Sequence, residues 1–169
     1  MTVSKQSLLS RPLLARALVL SLASLLLVGV AQADSHEKDA ARLKYRQSVM
    51  SIVGTNMGAI GDIMKNQLAL PGAITNHAGQ MVESAELIAP AFKREITGGP
   101  TDAKPEIWQD WAKFEKAIAD YKEAAIGLQT AAASGDAEAV GPAMKALGKS
   151  CGGCHKPFRK PKEESYKNQ

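Results

Sequence analysis

Cys151-Gly152-Gly153-Cys154-His155 holds both cysteines of the 169-residue chain and sets a histidine directly behind the second. That order and spacing reads as an attachment site for c-type haem. On a helix, residues three and four apart share a face, so both thiols and the imidazole of His155 turn the same way. Two thiols so placed can bond the two vinyl groups along one haem edge, while His155 reaches the iron as proximal ligand. One short cassette then tethers and ligates a single haem c.

Other chemistries fit this stretch less well. A thioredoxin-like redox pair opens a helix after a strand, and no strand pattern precedes Ser150. Structural zinc usually takes four ligands and iron–sulfur clusters usually take four cysteines, whereas beyond His155 only His36 and His77 remain. A plain disulfide stays open in an oxidising compartment, but it leaves His155 without a role.

The N-terminus points to such a compartment. Lys5, Arg11 and Arg16 form a positive region, Ala17 to Val30 is uncharged and apolar, and Ala31-Gln32-Ala33 has the small-x-small form of a cleavage site. Residues 1–33 therefore read as a cleaved secretory signal peptide, too short in its apolar part to span a bilayer. The mature chain, 34–169, is expected in the bacterial periplasm with no membrane insertion after cleavage. Residues 1–33 hold three of the 21 basic residues and none of the 17 acidic ones, which leaves 18 against 17, a balance of +1. Nothing in that balance supports nucleic-acid binding. The remaining 136 residues suit one domain with its own core.

Upstream of the cassette, apolar residues recur at helical spacing in four stretches. The first runs Leu43, Met50, Val53, Met57, Ile60 and Met64, with Arg46 inside the stripe. Asp34 and Glu37 resemble a capping box at its start, and Leu70-Pro71-Gly72 is expected to end it. The second is Ile74, Met81, Ala85, Ile88 and Phe92, followed by the loop-forming Thr97-Gly98-Gly99-Pro100. The third starts around Pro105 and carries Trp108, Trp111, Phe114, Ile118, Tyr121, Ala125, Leu128 and Ala132. Ser134-Gly135-Asp136 breaks the chain and caps the fourth, which carries Val140, Met144, Leu147, Cys151, Cys154 and Phe158. Short connections between amphipathic helices predict an all-α fold, an antiparallel four-helix bundle enclosing a covalently bound haem near one end. Gly54, Gly58 and Gly61 in the first helix suggest close approach by a neighbouring helix or subunit, and Pro142 suggests a kink or the true start of the fourth.

Taken together, the chain resembles a class II cytochrome c, the family of cytochromes c′ and the low-spin cytochromes c-556. The resemblance rests on Cys151, Cys154 and His155 followed by Phe158 and Arg159, and on the first-helix run Lys44-Tyr45-Arg46-Gln47-Ser48-Val49-Met50. It implies that Cys151 and Cys154 form the thioethers and that His155 is the proximal ligand. It further implies that Arg159 is the basic residue beside the haem on that side, and that Arg46 lies near a haem propionate. A charge within an apolar stripe needs a partner in any case, because an unpaired buried charge is costly; the alternative is a solvated Arg46 with a packed stem. Met50 aligns with the distal site, where cytochromes c′ commonly carry a non-ligating apolar residue and cytochromes c-556 a ligating methionine. His77 is the rival sixth ligand.

With Met50 bound, the iron has His and Met ligands, which raises the reduction potential in cytochromes and leaves no open position. The resemblance then implies an electron carrier rather than an enzyme, exchanging single electrons with periplasmic redox partner proteins. Lys156, Arg159, Lys160 and Lys162 surround the cassette and suit an acidic partner, although such a tail is usually just solvated. The alternative is a five-coordinate cytochrome c′ that binds nitric oxide or carbon monoxide. Family members are often homodimers built on the first two helices.

Overall fold

A computed structural model describes the backbone of residues 11–168 and the side chains of residues 36–168. The side chains of the leader assigned to residues 1–33 lie outside that range. The chain divides into one unit up to Ala40 and a second from Ala41 onward, and the second holds the helical core. Among the described residues there is no β-strand, and no helix is long and apolar enough to cross a membrane.

The first helix, α1 (Arg11–Lys65), does not start at Asp34. No breaker separates the apolar run from Asp34, so the uncleaved chain continues helically through it. At its other end α1 stops at Lys65, five residues short of the expected Leu70-Pro71-Gly72. Gln67 turns left-handed at φ 51°, and the amides of Gln67 and Leu68 return to the carbonyls of Met64 (3.4 Å) and Ile63 (3.0 Å). That pair of bonds is the Schellman closure, built here on glutamine instead of glycine.

Helix α2 (Ala73–Phe92) starts after Gly72, whose φ of 74° suits a residue without a Cβ. The expected third helix is divided. A single turn, α3 (Glu106–Gln109), ends at Asp110 with φ −133° and ψ 68°, and α4 (Trp111–Ala133) restarts there, its Lys113 amide bonding the Asp110 carboxylate. Helix α5 (Ala137–Phe158) is capped by Asp136, as the sequence predicts, and continues without a break across Pro142. Pro142 and Gly141 are exposed, so water can serve the carbonyl that the proline leaves unbonded.

Four long helices thus make a bundle, and contacts between them fix their directions. Arg46 meets Ala91 and Asn56 meets His77, so α1 and α2 are antiparallel. Phe92 meets Phe114 and the Tyr121 hydroxyl meets the Met81 carbonyl, so α2 and α4 are antiparallel. Phe114 meets Phe158 and Tyr121 lies within electrostatic reach of Cys151, so α4 and α5 are antiparallel. It follows that α5 is antiparallel to α1. The core between them includes Val49, Ile60, Met81, Leu128 and Leu147, all at 1 % exposure or less. At Gly54, Gly58 and Gly61 an added Cβ would meet nothing within 4 Å, so among the described residues no neighbouring helix exploits their smallness.

Candidate haem site

Cys151 and Cys154 lie on adjacent turns of α5, half-buried against the core, and neither is in a disulfide. Phe158, one turn further, is buried and sets its ring edge-on to Phe114 at 5.3 Å. Burial pushes the Cys151 thiol pKa up, and burial together with the Cys151 charge pushes Cys154 to about 11. Both thiols are therefore neutral near pH 7. Gly152 and Gly153 leave the backbone bare between them, since a Cβ there would meet nothing within 4 Å. His155 is exposed as a residue, yet the desolvation its ring does feel, with the Arg159 charge second, lowers its pKa from 6.5 and favours the neutral, ligating imidazole. Two free thiols and a neutral imidazole on one helical face are the donor set that a covalent haem requires, so the residues fit the group.

Met50 comes level with His155 by register. A Cβ on Gly148 of α5 would sit 3.8 Å from the Met57 methyl of α1, which places those residues opposite each other. In antiparallel helices, seven residues back from Met57 and seven forward from Gly148 reach Met50 and His155, about 10.5 Å along each axis. Met50 is half-buried and packs against the core. His77 sits elsewhere, its Nδ1 2.8 Å from the Asn56 side-chain oxygen. Asn56 lies six residues beyond Met50, about 9 Å further along α1. His36 is exposed.

Arg46 is not solvated. It is 3 % exposed, and its Nε donates to the Ala91 carbonyl (2.8 Å), its Nη1 to Ile96 (3.2 Å) and its Nη2 to Arg94. The guanidinium also lies over the rings of Phe92 (5.0 Å) and Trp108 (5.2 Å). The partner demanded by its burial is thus met by carbonyl oxygens at the negative end of α2. Trp108 closes the same end, its Nε1 donating to the Phe92 carbonyl at 2.7 Å. These residues stand at the end of the bundle that carries Met50 and the cassette.

Arg159 follows the last turn of α5, and its amide donates to the His155 carbonyl at 3.0 Å. Its guanidinium pairs with Asp102 at 3.4 Å. Asp102, on the loop before α3, is a residue that the sequence does not single out. Its oxygens also accept the Ser165 hydroxyl (2.9 Å) and the Tyr166 amide (3.0 Å). Burial alone would raise its pKa, but those two bonds and Arg159 bring it below 3.8. The basic side chains of Lys156, Arg159 and Lys162 are exposed, while the backbone of the tail is folded onto this loop, with Ser165 buried.

A family profile described as "Cytochrome C'" matches residues 41–159. A cytochrome c′ from Rhodospirillum rubrum is 38 % identical over 143 residues, covering 84 % of this chain and 95 % of that protein. A protein named cytochrome c-556 from Rhodopseudomonas palustris is 34 % identical over 119 residues, 67 % of this chain and 78 % of that one. Among solved structures, a nitric oxide complex of a leucine-to-alanine variant of cytochrome c prime from Alcaligenes xylosoxidans superposes with a TM-score of 0.65 at 31 % identity, covering 72 % of this chain and 95 % of the other.

Proposed function

Since this chain belongs to the cytochrome c′ family, whose members bind covalent haem c, we propose that it is a periplasmic electron carrier with a low-spin haem held by His155 and Met50. The observation that carries this reading is the helical register that brings Met50 of α1 level with His155 of α5. Cys151 and Cys154 are the thioether residues, and Arg159 stands on the proximal side. The haem supplies the one-electron couple; the chain holds it, supplies both axial donors and excludes water with the apolar side chains around them. Residues 1–33 deliver the chain to the compartment where the haem is attached. The name of the c-556 relative supports the reading.

A second reading, a five-coordinate binder of nitric oxide or carbon monoxide, is favoured by the nitric oxide complex among the structural neighbours. Absorption and EPR spectra of the purified protein separate the two. A low-spin ferric spectrum is expected, and Met50→Leu should convert it to high-spin and open the iron to small gases while leaving the haem attached. A high-spin signal in the unaltered protein would sink Met50 ligation. An unchanged low-spin spectrum in the variant would point to another ligand.

We also assign α1 and α2 as the dimer face. Tyr45 and Ile52 on α1 and Leu87 on α2 are exposed at 47 %, 44 % and 39 %. Ile52 and Leu87 line one open groove with Val82 and Gly79. Sedimentation of the haem-loaded protein tests this, and a monomer at all concentrations would remove it.

A further inference from the structure

The family profile ends at Arg159, and the chain goes on. Residues 160–168 are tied to the loop before α3. The Lys160 amide donates to the Asp102 carbonyl at 2.8 Å, an antiparallel bridge joins Ala103 to Arg159, and the Lys104 amide donates to the Phe158 carbonyl at 3.0 Å. Two short 3₁₀ turns, Lys162–Glu164 and Tyr166–Asn168, then bring Ser165 and Tyr166 back to the Asp102 carboxylate. The Asp102 side chain is only 10 % exposed, whereas that of Arg159 is 50 % exposed. An exposed arginine has wide rotamer freedom, and freezing it has an entropic cost. Here the carboxylate is already fixed by two bonds from the tail, so pairing has only the arginine left to order, and Asp102 holds one end of the guanidinium in place. Arg159 leaves α5 four residues after His155, on the same side of the helix, and its charge bears on the imidazole.

We propose that Asp102 is a positioning residue for the proximal ligand, acting through Arg159, and that residues 160–168 are a strap that keeps Asp102 in place. The inference rests on the proposed haem ligation and deepens it. Arg159 places a positive charge beside the donor side of the iron, and Asp102 fixes both where that charge sits and how much of it is felt.

A double-mutant cycle on the haem-loaded protein tests this: wild type, Asp102→Ala, Arg159→Gln and the pair, each first checked for covalent haem and then titrated for its reduction midpoint. Contacting residues couple, so the effect of Asp102→Ala on the reduction equilibrium should differ by about twofold or more between the two Arg159 backgrounds. Tenfold would read as 59 mV for one electron. Deuterium uptake of the peptide holding Ser165 and Tyr166 should rise in Asp102→Ala. Asp102→Asn keeps an oxygen for the Tyr166 amide but loses the charge, so it should retain tail protection and still shift the midpoint. It also carries the cycle if Asp102→Ala does not accumulate. Additive midpoint shifts with haem present in all four proteins would overturn the proposal, because Asp102 would then act without Arg159. A wild-type chain lacking covalent haem would overturn the haem reading, and this inference with it.

Discussion

Replacing Arg46 with leucine should cost the haem-loaded protein about 4 kcal/mol of stability. The side chain donates to three carbonyls, those of Ala91, Arg94 and Ile96, at a site that is 3 % exposed. Leaving each without a partner costs about 1 kcal/mol at the low end of the range for buried groups. Loss of the contacts with Phe92 and Trp108 adds about 0.5 kcal/mol each. Leucine fills part of the volume and offers no donor, so only water entry can soften the loss. Against a total of about 5–15 kcal/mol for a domain, this is a large fraction. Lysine keeps a charge at the end of α2 but has no fork to span three acceptors, so Arg46→Lys should recover less than half. Urea unfolding at pH 7 measures both variants, with an unchanged slope required for the comparison. A loss below about 1 kcal/mol for Arg46→Leu, the cost expected of an exposed residue, would refute the view of Arg46 as the clamp on the end of α2.

Three further outcomes come from the geometry. In the chain without haem, Cys154, at about 11 against an ordinary 9.0, should carry about a hundredfold less thiolate than a free cysteine and react with iodoacetamide more slowly than Cys151; equal rates would contradict the burial described. Gln67→Gly should stabilise the protein by about 0.5–1 kcal/mol, since glycine adopts the φ of 51° without steric cost; a destabilised variant in urea would show that the Gln67 side chain matters more than its backbone. The Asp102 carboxyl has a folded pKa below its ordinary 3.8, so its contribution is full above that value and is lost as pH falls through the folded pKa. Protection of the tail amides, corrected for the intrinsic pH dependence of amide exchange, should therefore fall below about pH 3.8 and stay level above it, and a loss of protection beginning near neutrality would contradict the assignment.

The helices are legible in the sequence because each buries one face: the stripes from Leu43 to Met64 and from Val140 to Phe158 have the periodicity that packing requires. Their ends are less so. Proline and glycine at positions 71 and 72 look like the stop of α1, but the backbone turns earlier at Gln67, a residue with no preference for the left-handed region. The break at Asp110 is hidden because Trp108 and Trp111 keep helical spacing across it; the Trp108 indole reaches back to the end of α2, and only tertiary contact dictates that. Cys151, Cys154 and His155 can be found in five consecutive letters. Met50 needs a family likeness, and its height in the bundle needs the pairing of Met57 with Gly148. Asp102 leaves no local trace, since its role depends on partners 57 to 64 positions away.

The register of α1 against α5 has a bearing on how the protein comes to be. Met50 is made early in synthesis and His155 near its end, so no growing chain can bring them together until almost every residue has been added. Under the proposed ligation, a donor from each end of the sequence means that neither half alone satisfies the iron. With the proposed Met50 and His155 pair on the iron, a low-spin spectrum that Met50→Leu abolishes certifies more than ligation: it reports a molecule whose first and last helices have found each other, which makes the colour of the protein a measure of completed assembly.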